Sequence, residues 1–341
     1  MSFAATITNA AERHKIPDSL LRFGIGQFVA RTDRSLARNP AETKAFARDM
    51  AGFPIAVHTQ DANRQHYELP PEFFGLVLGP RRKYSCCLYP TGRETLAEAE
   101  LCALEATATH AELADGQDIL ELGCGWGSLT LFMAQRFPAA RITAVSNSTP
   151  QRLYIEAQAA ALGLNNLRVV TADMNEFQPS QNFHRVVSVE MFEHMANWRD
   201  LLGRVRSWLA PSGKLFIHVF THAASPYRFN HLDDADWIAQ HFFTGGIMPS
   251  HGLAGAFPDL FTIEQDWRWN GTHYARTAED WLRNYDLHAV EIRKLLKQVY
   301  GAEAFVWERR WRLFFLATAG LFGHGGGEPW GVSHYLLTPA A

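Results

Sequence analysis

From position 117 onward the chain alternates short β-branched runs with longer helical ones, and this alternation constrains the fold more than any other feature. Asp118–Leu122, 141–145, Leu167–Thr171, 185–189 and 214–220 read as strands, and 129–136, 151–162 and 198–209 read as helices. Strand and helix in this order predict an α/β fold with a doubly wound parallel sheet, whose ligands bind at the carboxyl ends of the strands. Punctuation agrees: Thr149 is placed to cap the second helix, Pro150 fits its first position, and Gly163 follows its end.

Before 117 the spacing over 19–30 and the Leu/Ala/Glu-rich run 95–109 are helical, so residues 1–115 are expected to form an N-terminal helical extension. The nucleotide-binding core then spans 116–222. Segment 223–329, which holds Trp237, Phe242, Phe243, Trp267, Trp269, Trp281, Trp307 and Trp311, is expected to cap the sheet over the substrate. The apolar run after the glycine loop 323–327 makes 330–341 a C-terminal strand returning to the sheet.

Composition excludes several roles. A net charge of −3 lacks the basic excess that neutralises a nucleic-acid backbone. The four cysteines contain no C-x-x-C pair, which disfavours a zinc ribbon or a disulfide framework. The N-terminus carries no unbroken apolar h-region, and the most apolar stretch, 313–322, is about half the ~20 residues that span a bilayer. A cytoplasmic enzyme without a membrane span is the expectation, with a homodimer left open.

The turn after the first strand, Glu121-Leu122-Gly123-Cys124-Gly125-Trp126-Gly127, has glycines at alternate positions, suited to unusual backbone angles and close ligand approach. A nicotinamide nucleotide would require G-x-G-x-x-G and an acid about 20 positions on; the chain has Ser146-Asn147 there, which demotes that cofactor. Asn147 at the end of the second strand suits ribose hydroxyls, with Gln151 one turn later. Asp173 after the third strand suits an adenine amino group, with Met174 against the ring.

Further segments make the family recognisable. They are Tyr67-Glu68-Leu69-Pro70, Leu78-Gly79 with Lys83-Tyr84-Ser85, Thr95-Leu96, Gly123 to Ser128, Asn147-Ser148 with Gln151, Glu190-Met191-Phe192-Glu193-His194-Met195, Phe242-Phe243-Thr244-Gly245-Gly246 and His273-Tyr274-Ala275. The chain resembles the cyclopropane fatty acid synthase superfamily of class I S-adenosylmethionine-dependent methyltransferases, and within it the coclaurine N-methyltransferase-like branch. The resemblance implies a Rossmann-like sheet and S-adenosylmethionine as cofactor, leaving S-adenosylhomocysteine as product. It implies that Tyr84 and Ser85 hold the methionine carboxylate, while Gly123, Gly125, Gly127, Asn147, Gln151, Asp173 and Met174 line the rest of the cofactor site. Lipid-modifying members carry a small residue where this chain has Glu190. Glu193, His218 and Tyr274 match positions that bind bicarbonate in the cyclopropane enzymes, but similar residues in N-methyltransferases leave the branch undecided on those three.

N-methylation poses a proton problem, because an alkylammonium of pKa roughly 10 has no free lone pair at neutral pH. A carboxylate can hold the cation and an imidazole can take its proton. Glu190, Glu193 and His194, at spacing i, i+3, i+4, would share one helical face after the fourth strand. His194 is then the expected base, and Glu190 and Glu193 hold the ammonium and orient the ring. Tyr67, Glu68, His218, Phe243, Tyr274 and Trp330 are the expected substrate contacts, in an aromatic pocket suited to a flat tetrahydroisoquinoline-like amine. No metal is expected, since no second histidine stands at H-E-x-x-H spacing. The alternatives are a cyclopropane-fatty-acyl-phospholipid synthase or related acyl methyltransferase, and a cofactor-binding protein with a spent site.

Overall fold

The computed structural model describes residues 3–57 and 69–341, with side chains of the first helix described from residue 8. Tyr67 and Glu68 lie outside the described residues. Five strands, β1 (Asp118–Leu122), β2 (Arg141–Ser146), β3 (Leu167–Thr171), β4 (Phe183–Val189) and β5 (Leu209–His222), pair in parallel. Tyr227–Arg228 (β6) and Ile247–Met248 (β7) form a separate two-stranded ladder. β8 (Phe261–Asn270) and β9 (Trp330–Pro339) complete the main sheet, in the order β3-β2-β1-β4-β5-β9-β8. Covered on both faces, its central strands bury Ile119, Leu120, Leu122, Val186, Val187, Phe216 and Ile217 completely.

The sheet is not wholly parallel. β9 enters at the carboxyl end of β5, with Trp330 opposite His222, so it can only run back antiparallel, and β8 pairs antiparallel on its far side. β8 thus places part of segment 223–329 in the sheet itself.

The helices are α1 (Phe3–Arg13), α2 (Asp18–Arg38), α3 (Thr43–Asp49), α4 (Pro71–Val77), α5 (Leu96–His110), α6 (Ser128–Arg136), α7 (Thr149–Ala161), α8 (Trp198–Trp208), α9 (Trp237–His241), α10 (Thr272–Leu287), α11 (Ala289–Tyr300) and α12 (Ala304–Gly323). α5 opens with a reciprocal capping box between Thr95 and Glu98. α7 is capped by Ser148, whose hydroxyl accepts the Gln151 N–H, and not by Thr149, which is already its first helical residue. Gly163, at φ +67°, supplies the left-handed step after its end.

α1, α2, α10 and α12 pack into one aromatic body over the carboxyl edge, centred on Trp311, Phe314 and Phe315. Charged ties hold its helices in place. Arg310 bonds Glu12 in a fork at 3.0 Å, and Arg312 reaches both Asp18 and Asp286 at 2.7–2.9 Å. Glu12 also accepts the Trp237 indole N–H at 2.6 Å. Burial alone would raise the Glu12 pKa, but bonds from His241, Arg310 and Trp237 outweigh it and hold it at about 2.

Candidate active site

The turn after β1 bends through left-handed angles at Gly123 (φ +77°), Gly125 (φ +51°) and Gly127 (φ +79°). Their roles differ. A Cβ on Gly123 would meet Met191 at 2.6 Å, and one on Gly127 would meet Ile155 at 2.5 Å, so these two let the turn pack tightly. At Gly125 nothing lies within 4 Å, and the backbone there faces an open cleft. Gly127, expected at the cofactor, shapes the turn without lining the cleft.

Tyr84, Ser85, Gly123, Gly125, Gln151 and Glu190 line one end of this cleft, and Asn147, Asp173, Met174 and His194 line the other. Several donors in and around it are buried without a partner. Gln151 accepts the Ser146 hydroxyl at 2.6 Å through its oxygen, yet its amide nitrogen has no hydrogen bond; nor do the Trp126 indole N–H and the Ser128 hydroxyl. A buried donor left unmatched costs about 1–3 kcal/mol, so these atoms fit a polar ligand entering beside the glycine turn. Asp173 uses one oxygen to accept the Asn175 N–H at 2.8 Å. Beneath Ser85, the buried Lys83 ammonium donates to the Ser85 hydroxyl and, at 2.6 Å, to the Cys86 carbonyl. Glu121, under the turn, is pushed up to about 8 by burial, against a 2.5 Å bond from Thr130.

Glu190, Glu193 and His194 do not share a helical face. Glu190 leaves β4 at φ +47°, and only Phe192–His194 forms a single 3-10 turn. The reason is local: the Glu190 N–H donates to the His218 carbonyl on β5 at 2.8 Å, extending strand pairing into the turn. This aims the carboxylate across the sheet edge. One oxygen accepts the Cys86 N–H at 2.8 Å and lies 3.2 Å from His218 Nε2; the other accepts the Tyr274 hydroxyl at 2.6 Å. Burial raises the Glu190 pKa, opposed by the Lys83 charge and the bonds from Tyr274 and Cys86. Glu193 is buried outside the cleft lining, one of its oxygens lacks a hydrogen bond, and burial followed by the nearby Glu190 pushes its pKa well up. His194 lines the cleft and stacks on Phe243 at 4.7 Å and 13°.

A second cavity, of about 470 Å³ and mostly apolar, lies under the aromatic body. Phe243 and Tyr274 both line it. His194 against Phe243 and Glu190 against Tyr274 therefore stand where the polar cleft meets the aromatic cavity. Two expected substrate contacts sit elsewhere. Trp330 is fully buried on β9 behind Tyr227, to whose hydroxyl its indole N–H donates at 3.2 Å, and Tyr227 is the residue that faces the cavity. His218 is also fully buried and lines neither space; it reaches only toward Glu190 on that side. Sequence reasoning also missed Phe28 on α2 and Phe229 and Phe322, all on the cavity wall. Among the described residues no group of acids, cysteines and histidines is arranged to hold a metal, and no helix is long and apolar enough to cross a membrane.

A seven-stranded sheet of this order, with a glycine turn and a donor-lined cleft at its carboxyl edge, defines a class I S-adenosylmethionine-dependent methyltransferase. Residues 56–326 match the model of the mycolic acid cyclopropane synthetase family, and the chain belongs to that family. It is 34% identical to (S)-coclaurine N-methyltransferase of Thalictrum flavum subsp. glaucum over 83% of this chain and 80% of that one. The crystal structure of coclaurine N-methyltransferase bound to N-methylheliamine and SAH superposes with a TM-score of 0.92, at 31% identity, covering 99% of this chain and 100% of that one. The cyclopropane-fatty-acyl-phospholipid synthase of Escherichia coli K12 is more distant, at 26% identity over 65% of this chain and 56% of that protein.

Proposed function

We propose that this enzyme N-methylates a small tetrahydroisoquinoline-type amine. The observation that carries the reading is the junction described above, where a buried carboxylate and an imidazole face the cofactor cleft while their partners Tyr274 and Phe243 wall an aromatic cavity. A cavity of about 470 Å³ suits a fused-ring amine, and its aromatic faces favour a cation. The similarity to coclaurine and pavine N-methyltransferases supports the same class of acceptor.

S-Adenosylmethionine supplies a methyl group on a sulfonium, open to in-line displacement by a lone pair. Tyr84, Ser85, Gly123, Gly125, Asn147, Gln151, Asp173 and Met174 are the residues that would hold it, with Gln151 and the glycine turn offering unmatched polar atoms. Glu190 faces the substrate ammonium, His194 takes its proton, and Phe243 and Tyr274 hold the ring system against the cleft. Glu193 stays neutral beneath Glu190, because two adjacent buried carboxylates cannot both ionise cheaply.

The test supplies methyl-labelled S-adenosylmethionine with tetrahydroisoquinolines or with vesicles of unsaturated phospholipid. Label is expected on the amine nitrogen. Label in lipid alone would overturn the proposal.

A further inference from the structure

His218 of β5 and His334 of β9 are register partners, and both are fully buried. His334 Nε2 lies 2.8 Å from His218 Nδ1, and His334 Nδ1 lies 2.8 Å from Nδ1 of His110, the last residue of α5. With His218 Nε2 at 3.2 Å from Glu190, four groups form one line from the active site to a partly exposed ring. Tryptophans fix the line. Trp269 packs on the His218 and His334 rings at 5.4 and 4.2 Å, and Trp267 stacks on His110 at 3.8 Å and 3°.

Hydrogen-bond chemistry leaves this chain two arrangements. A carboxylate only accepts, so an ionised Glu190 requires Nε2–H on His218, then Nε2–H on His334, then Nδ1–H on His110. A protonated Glu190 donates, and every ring turns its proton the other way, leaving His110 with Nε2–H. Passage from the second arrangement to the first takes one proton from Glu190 and gives one to water from the outer nitrogen of His110, while each ring gains one proton and loses one.

We propose that Glu190 exchanges its proton with solvent through His218, His334 and His110, ionising as a cation enters the cleft. The proton leaves the Glu190 oxygen for His218 Nε2; His218 Nδ1–H passes to His334 Nε2; His334 Nδ1–H passes to His110 Nδ1; His110 Nε2–H passes to water. Departure of the cation runs the same steps backward, so no separate reset is needed. Charge in the buried cleft is thereby kept nearly constant even when ligands block its mouth.

The surroundings agree. Burial favours the neutral forms of Glu190, His218 and His334, and the buried Lys83 ammonium further disfavours a charged ring at either histidine. Cys86 and Tyr274, the other titratable groups against Glu190, are kept protonated by burial, as is Glu193. Burial also lowers the pKa of His110, which keeps the outer ring neutral and able to pass protons in either direction. The inference rests on the reading of the cleft as the cofactor site and is independent of which amine is methylated.

The experiment uses the intact protein in weak buffer with a pH indicator, mixed rapidly with S-adenosylmethionine, a sulfonium, or S-adenosylhomocysteine, its neutral counterpart. Tryptophan fluorescence follows binding. The wild type is expected to release more protons with the sulfonium, up to one extra per site, in step with binding. Glu190→Gln should abolish the extra release. His110→Phe, which keeps the stack on Trp267, should leave the final proton count unchanged but slow release about tenfold or more behind binding, with added imidazole restoring it. Equal proton counts for the two ligands in the wild type, or prompt release in His110→Phe, would overturn the inference. If neither ligand binds, the cofactor reading fails first, and the inference with it.

Discussion

The polar cleft takes most of its wall from the ends of β1, β2, β3 and β4 and the residues that follow them, with 82–85, Leu104 and Thr107 of α5, Ala56, Val57 and Thr244 closing it from other parts of the chain. The aromatic cavity is assembled differently, from α1, α2, α10, α12 and the stretch 220–248, which meet only in the folded chain. The cleft offers unmatched donors on a rigid sheet edge, whereas the cavity offers ring faces held by ion pairs between helices. Under the proposed function, cofactor recognition is tied to backbone geometry, and acceptor recognition to side chains that can be exchanged without disturbing the sheet.

The largest expected effect lies at the junction. His194→Ala should lower kcat/KM by about 10²–10⁴-fold while calorimetry finds cofactor affinity unchanged, because a lost base affects chemistry alone. Near-normal turnover would remove His194 from the proton step. Gln151→Leu should raise the cofactor Kd about tenfold, equivalent to about 1.4 kcal/mol, with the acceptor KM unchanged at saturating cofactor. Phe243→Ala should raise the acceptor KM about fivefold through lost ring contact, with the cofactor Kd unchanged. A cofactor effect of Phe243→Ala, or an acceptor effect of Gln151→Leu, would mean that the two regions are not separable.

The smallest effect on catalysis at neutral pH concerns the cavity roof. The Glu12 pKa is depressed from 4.5 to about 2, so the stability it contributes is present above 4.5 and is lost as pH falls toward 2. An acid titration followed by tryptophan fluorescence should therefore loosen the contacts of Trp237 and α12 across that window. Glu12→Gln should flatten the dependence and start from lower stability. An unchanged acid transition would separate Glu12 from the roof.

What the sequence made legible follows from the same contrast. Gly123, Gly125, Asn147, Gln151, Asp173 and Met174 could be placed along one cleft because the order of strands sets where they stand. The shared helical face expected for Glu190, Glu193 and His194 failed because spacing arguments assume a helix, and the backbone bond from Glu190 to His218 prevents one. Trp330 was an attractive wall residue by type, but register opposite His222 sends it into the core and leaves Tyr227 at the surface of the cavity. His110 and His334 carried no signal, since their link to Glu190 is made through the antiparallel insertion of β9. Phe28 and Phe322 lie almost three hundred residues apart in a helical pattern that marks them only as apolar.

Glu190 at φ +47° occupies a backbone conformation that side-chain-bearing residues seldom adopt, and it does so with a buried carboxylate. A glycine there would relieve the backbone strain but would leave the Cys86 N–H and the Tyr274 hydroxyl without their acceptor, so Glu190→Gly should melt no higher than the wild type and methylate little. The side chain that burdens this turn is also the one that ties it to its neighbours, and stability-guided engineering that scored the backbone angle alone would choose the wrong residue here.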